Sequence, residues 1–156
     1  MKPAVQRVVA AFEARGLPIE VTEFAESTRT AAEAAAAIGT SVPRIVKSLV
    51  FLADDRPLLV LASGSNRVDV GKLERLVGVR IRRADADRVR AETGYAIGGV
   101  PPLGHPRDMA VYVDADLLQY DRVWAAAGTP YAVFPIQPEQ LVEVTGGTVA
   151  DLREST

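Results

Sequence analysis

Two apolar runs separated by a short polar break constrain this chain more than any other feature. Ile45-Val46-Lys47-Ser48-Leu49-Val50-Phe51-Leu52 is followed by Asp54-Asp55-Arg56-Pro57, after which Leu58 to Ala62 is apolar again. Runs of this length, rich in branched side chains and joined by turn residues, are the pattern of a β-hairpin buried on both faces. Such a hairpin needs helices or further strands around it.

The rest of the chain supplies them. Val5, Val8, Val9 and Phe12 recur at helical spacing, predicting a helix over about 3–15 that Gly16 stops. Ile19, Val21 and Phe24 alternate with polar residues and predict a short strand. Thr30 and Glu33 frame a capping box before an alanine-rich helix that ends at Gly39, and Pro43 suits a first helical turn. Ser65 to Asp69 opens a helix ending at Gly78, Val79 to Arg82 reads as a strand, and Asp85 caps a helix ending near Thr93-Gly94. Met109 to Asp114, Val123 to Ala127 and Tyr131 to Ile136 read as strands, with a short turn or helix at Leu117–Tyr120. Pro138 starts a last helix that Gly146-Gly147 ends, and the final TVADLREST reads as a tail or one short turn. Interleaved helices and tight hairpins predict an α/β (α+β) fold with a mixed, largely antiparallel sheet.

At 156 residues the chain suits one domain, spanning 1–156, with a core that needs no covalent staples. It contains no cysteine and one histidine, His105, which excludes disulfides, a cysteine nucleophile and His-rich metal clusters. No run approaches the length of a membrane span, and the N-terminal helix is interrupted by Glu13 and Arg15, unlike a signal peptide. The expected location is cytoplasmic. A net charge of −2 argues against a general nucleic-acid coat protein, so any RNA contact must be local. The basic stretch from Arg75 to Arg90 reads as a solvated rim.

Two features could carry chemistry. Lys47 sits inside the most apolar stretch, where an unpaired ammonium is costly to bury. Either it buries only its stem at a strand edge, or it projects into a cleft to fix a phosphate or carbonyl oxygen. The second is the loop from Thr93 to Gly104, TGYAIGGVPPLG. Its glycines permit left-handed backbone and its prolines set the turns, so its N–H groups could face an oxyanion; equally, it could simply cap a sheet. It is neither a Walker loop nor a dinucleotide fingerprint. Asp114, Asp116, Asp121, Ser63, Ser65 and Thr93 have the look of caps and turns, and His105 that of an exposed loop residue. No metal-ligand spacing appears, and no cofactor is expected.

The loop TGYAIGGVPPLG resembles the TGYxxGGxxPxG motif of the YbaK/EbsC family, free-standing relatives of the editing domain inserted in bacterial prolyl-tRNA synthetase. The lysine of IVKSLVFL falls where that family has its Lys-Ser/Thr-Leu strand, and the likeness runs from about residue 19 to 152. The resemblance implies a sheet curling towards a barrel with surrounding helices. It implies hydrolysis of the ester between a wrongly attached amino acid and the 3′ end of tRNA, acting in trans. The expected substrate is a small amino acid, such as alanine, cysteine, serine or 2-aminobutyrate, on tRNA(Pro). Lys47 would then place the terminal ribose or phosphate, and Gly98 and Pro102 would supply the GxxxP element that holds the carbonyl or attacking water. Tyr95, Gly99, Thr93 and Ser63 would shape the substrate wall. Partners would be the acceptor end of aminoacyl-tRNA and a prolyl-tRNA synthetase, with neither DNA nor membrane involved. Pro101 stands where some relatives carry a small polar residue. The alternative in another class is a non-catalytic module that binds charged tRNA or docks on a synthetase; a nucleotide- or amino-acid-binding regulatory domain is the third.

Overall fold

A computed structural model describes residues 1–155. The predicted hairpin is its centre. Strands β2 (Val46–Ala53) and β3 (Arg56–Ser63) pair antiparallel along their whole length, from Val46 opposite Ser63 to Ala53 opposite Arg56. The turn is tighter than the four residues expected. Asp54 and Asp55 alone make it, both with positive φ (51° and 68°), and Arg56 and Pro57 already belong to β3. Positive φ at both central residues is what lets a two-residue turn follow the twist of its strands.

Alternation along β2 feeds two cores. Val46, Val50 and Leu52 join the main core, with Val5, Val8 and Phe12 of helix α1 (Pro3–Ala14). Phe51 and Ala53 join a second core, with Leu73 of α3 (Val70–Val77). The expectation of burial on both faces therefore holds. Around the hairpin lies a five-stranded sheet in the order β4 (Ile81–Arg83), β2, β3, β5 (Ala110–Asp114), β8 (Thr148–Ala150). β4, β2 and β3 run antiparallel, whereas β3–β5 and β5–β8 are parallel. A second, antiparallel sheet has the order β1 (Thr22–Glu23), β7 (Ala132–Ile136), β6 (Val123–Ala126). A single parallel bridge between Ile45 and Trp124 joins the two sheets, so they curl together without closing a barrel among the described residues.

The remaining helices are α2 (Ala31–Ile38), α4 (Ala86–Thr93) and α5 (Pro138–Thr145). The Thr30–Glu33 capping box forms in both directions, satisfying two donors at the start of α2. Pro43 lies in a 3₁₀ turn, Val42–Arg44, that leads straight into β2.

Two expectations need correction. The strand predicted around Ile19 to Phe24 shrinks to Thr22–Glu23, because Ile19 and Val21 pack on the main core without a pairing partner. The tail holds a strand, β8, whose partner β5 is far away in sequence.

Candidate active site

The open edge of β2 sets the site. β4 covers β2 only from Phe51 to Ala53, so Val46 to Leu49 have β3 on one side and no ladder on the other. A cavity of about 530 Å³ fills that gap. Its walls come from β2, the start of α2, β6, and the loop that carries Ile97, Gly98 and Val100.

Lys47 lies in this wall, half-buried, and its ammonium donates to the carbonyl of Asn66. Burial lowers its pKa below the ordinary lysine value; Arg83 and Arg67 push in the same direction, and Asp114 opposes them. Arg29, Arg67 and Arg83 line the same cavity. None of the three guanidinium groups has an ion-pair partner among the described residues. Arg83 comes from the stretch expected to be a solvated rim. Its neighbours Arg82 and Arg88 do behave that way, pairing with Asp55 at the hairpin turn, whereas Arg83 lies over the Phe51 ring at the cavity. The result is a small, partly apolar recess with four cations and one carboxylate, Glu154, on its wall. Such a recess attracts an anionic ligand locally although the chain as a whole is slightly acidic.

Behind Lys47 stands a buried carboxylate. Asp114, at the end of β5, accepts from the Ser63 N–H (3.0 Å), the Asn66 side-chain amide (2.9 Å) and the Asp116 N–H (3.0 Å). The same amide of Asn66 donates to Asp116 (2.8 Å), which also takes Arg153 (3.2 Å). This network fixes the Asn66 segment, and the Asn66 carbonyl in turn holds Lys47. Sequence reasoning saw Asp114 only as a cap, and it does cap the turn at Ala115; its longer-range role depends on pairing between β3 and β5.

The Thr93–Gly104 loop divides into a lining part and a supporting part. Gly98 lines the cavity with φ +89°, at the third position of a turn closed by the Gly99 N–H to the Ala96 carbonyl (2.9 Å). Positive φ at that position is the requirement of a type II turn. The Gly98 N–H has no hydrogen-bond partner among the described residues. Gly99 faces the other way. A Cβ there would lie 2.8 Å from the backbone of Thr129, and its carbonyl accepts from the Gly128 N–H (3.0 Å).

The other predicted site residues sit outside the lining. Tyr95 is buried, and its hydroxyl donates to the Gly104 carbonyl (2.8 Å), closing the loop on itself. Thr93 is fully buried and ties the end of α4 to Tyr95. Ser63 is buried between the Pro43 carbonyl (2.7 Å) and Asp114. Pro102 is buried in the loop. His105, expected to be exposed, is instead partly buried beside Tyr95 with a ring nitrogen 2.7 Å from the Pro101 carbonyl, and burial lowers its pKa. Of the seven residues singled out, Lys47 and Gly98 meet at the cavity.

Residues 25–144 match the model of the aminoacyl-tRNA editing domain. The chain belongs to the aminoacyl-tRNA editing domain family. Among individual relatives, an uncharacterised Bacillus subtilis protein, YwhH, is 36% identical over 125 residues, 80% of each chain. The EbsC protein of Enterococcus faecalis, named as a candidate Cys-tRNA(Pro)/Cys-tRNA(Cys) deacylase, is 26% identical over 90% of this chain and 88% of its own. A crystal structure described as a candidate trans-editing enzyme for prolyl-tRNA synthetase superposes with a TM-score of 0.95 at 51% identity, covering 99% of both chains. The editing-domain segment, 25–144, contains Lys47, Gly98 and the cavity arginines Arg29, Arg67 and Arg83. Among the described residues, no helix is long and apolar enough to cross a membrane.

Proposed function

We propose that the chain is an aminoacyl-tRNA deacylase that acts in trans, removing a small amino acid such as alanine, cysteine or serine from tRNA(Pro). The observation that carries this reading is the cavity itself: about 530 Å³, bordered by Lys47 and three unpaired arginines, at a strand edge. That volume suits a terminal nucleoside with a small acyl group and is far too small for duplex RNA. The cations suit the phosphates of a single-stranded end. The names of EbsC and of the trans-editing structure support the same chemistry.

In this reading Lys47 positions the terminal ribose or phosphate beside the ester, held in direction by the Asn66 carbonyl. Gly98 offers a free N–H to the ester carbonyl as negative charge grows on it. Pro102, Tyr95, Gly99, Thr93 and Ser63 support: they hold the loop and the strand end so that this N–H keeps its place. An aminoacyl ester is already activated, so positioning and one or two donors supply much of the rate. The attacking oxygen is water or a hydroxyl of the substrate. The chain would work as one editing domain, in the same compartment as translation, with prolyl-tRNA synthetase as its partner.

The test is hydrolysis of tRNA(Pro) charged with Ala, Cys, Ser or Pro, by the wild type and by Lys47→Ala. The expected outcome is rapid loss of one non-proline species, spared Pro-tRNA(Pro), and a fall of at least a hundredfold in the variant. A fully active Lys47→Ala would remove Lys47 from the mechanism. No hydrolysis of any species, with or without the synthetase, would leave a tRNA- or synthetase-binding module.

A further inference from the structure

Among the described residues, one buried side-chain polar atom lacks any hydrogen-bond partner: the Oγ of Ser48. Ser48 lies in the cavity wall next to Lys47. Its main-chain groups face the open edge of β2. The Val50 carbonyl accepts from the Ala84 N–H (3.2 Å), and the Asp54 N–H donates to the Arg80 carbonyl (3.2 Å), so the even-numbered residues of this segment turn their N–H and C=O towards the β4 side. Alternation gives Ser48 the same direction. β4, however, begins its pairing only at Phe51, and neither a ladder nor a bridge reaches Ser48 from that side. The N–H and C=O of Ser48 therefore face the open edge, and its buried Oγ lies beside them on the face of the strand that carries Val46 and Val50.

Charge decides what they can bind. Lys47, Arg67 and Arg83 are donors only, and they claim the oxygens of a ligand. Alternation puts Lys47 on the face of β2 that carries Phe51, and Ser48 on the opposite face with Val46 and Val50. The Asp114 and Asp116 carboxylates are already engaged by Ser63, Asn66 and Arg153. Glu154 is exposed at the rim, its N–H bonded to the Arg67 carbonyl (2.8 Å). The Thr28 and Thr30 hydroxyls on the same wall are engaged with the Pro130 carbonyl and with Glu33, so a donor group that enters the recess past the arginines finds an unengaged hydroxyl at Ser48.

We infer that Ser48 binds the α-amino group of the aminoacyl moiety, its Oγ and main-chain carbonyl accepting from that group. The inference rests on the deacylase reading above. It makes Ser48 a substrate-binding residue that sets the acyl group's orientation between two sides of one strand, the amine at Ser48 and the ester near Lys47.

The experiment compares the small aminoacyl-tRNA(Pro) hydrolysed fastest with its analogue lacking the amino group, for example alanyl- and propionyl-tRNA(Pro). Wild type, Ser48→Ala and Ser48→Thr are measured on both. Wild type should lose at least tenfold in kcat/KM when the amino group is absent. Ser48→Ala should lose about tenfold on the aminoacyl ester, mostly through KM, and less than twofold on the analogue. Ser48→Thr, which keeps the hydroxyl, should recover most of the loss. Equal losses by Ser48→Ala on both esters, or none on either, would overturn the assignment while leaving the deacylase reading intact. A wild type inactive on every aminoacyl-tRNA would instead overturn the parent reading and this inference with it.

Discussion

The two halves of β2 face opposite demands. From Phe51 to Ala53 the strand has partners on both sides, and all three residues are buried. From Lys47 to Leu49 it has a partner on one side, and its residues are half-buried. The covered half holds hydrocarbon and nothing unsatisfied. The open half holds an ammonium with a lowered pKa and a hydroxyl with no partner. Ending β4 after three residues leaves the other half of a core strand with an open edge. Groups that would be defects inside a core are free to meet a ligand where the sheet stops, which is the premise of the proposed site.

This contrast predicts opposite stability effects along one face of one strand. Leu52→Ala removes a fully buried side chain from the main core and should cost about 2–5 kcal/mol. Ser48→Ala removes an unsatisfied buried hydroxyl and should change stability by about 1 kcal/mol or less, in the stabilising direction. Urea unfolding of both variants checks this. A Ser48→Ala protein as unstable as Leu52→Ala would mean that the hydroxyl has a structural partner, and the division between the two halves would fail.

A smaller contrast lies in adjacent glycines of the Thr93–Gly104 loop. At Gly99 an added methyl would meet the Thr129 backbone at 2.8 Å, and neither segment can step aside without shifting the other. Gly99→Ala should therefore cost about 1–3 kcal/mol, as overpacking does. At Gly98 the added methyl meets Arg29 Cγ at 2.4 Å and the Arg29 backbone Cα at 3.2 Å, atoms near the root of that side chain, and the left-handed backbone adds a further penalty of about 1–2 kcal/mol. Gly98→Ala should thus be the less stable of the two as well as the less active, because it adds backbone strain to the clash and disturbs Arg29 and the turn that carries the free N–H. Thermal unfolding and deacylation rates, measured together, give both orders. The reverse order in activity would move the oxyanion contact away from Gly98.

How much of this could be read in the sequence follows from how local each cause is. The hairpin, the Thr30 capping box and the glycine stops are written in neighbouring residues, and the structure has them all. Strand β8 was missed because its residues, Thr148 to Ala150, are largely exposed and its only ladder is a parallel pairing with β5. Lys47 and Gly98 stood out because a lysine in an apolar run and a Gly/Pro loop are locally odd. Thr93, Tyr95, Gly99 and Ser63 belong to the same motifs, yet the structure turns them into supports; motif membership does not say which way a side chain faces. Arg29, Arg67, Arg83 and Asp114 carry no local mark. Each becomes informative only when β3 meets β5, or when the stretch after β4 is seen to stop short of Ser48.

The smallest predicted effect concerns the charge on Lys47, and its sign follows from the causes of the shift. Burial, Arg83 and Arg67 all disfavour the ammonium, so the folded protein releases that proton at lower pH than the ordinary lysine value of 10.5. Between the lowered folded value and 10.5 the unfolded chain holds more protons. The contribution of Lys47 to stability is therefore most unfavourable below its folded pKa, and it improves as pH rises through that window. Activity runs the other way if the ammonium is the working form, falling on the alkaline side earlier than an ordinary lysine would allow. Arg83→Gln removes one repulsion and should move that alkaline limb upward. A pH–rate profile of kcat/KM for wild type and variant measures the shift. Because Arg83 also lines the proposed site, the variant should lower kcat/KM at every pH; a changed height with an unmoved limb would show that the limb reports a group other than Lys47.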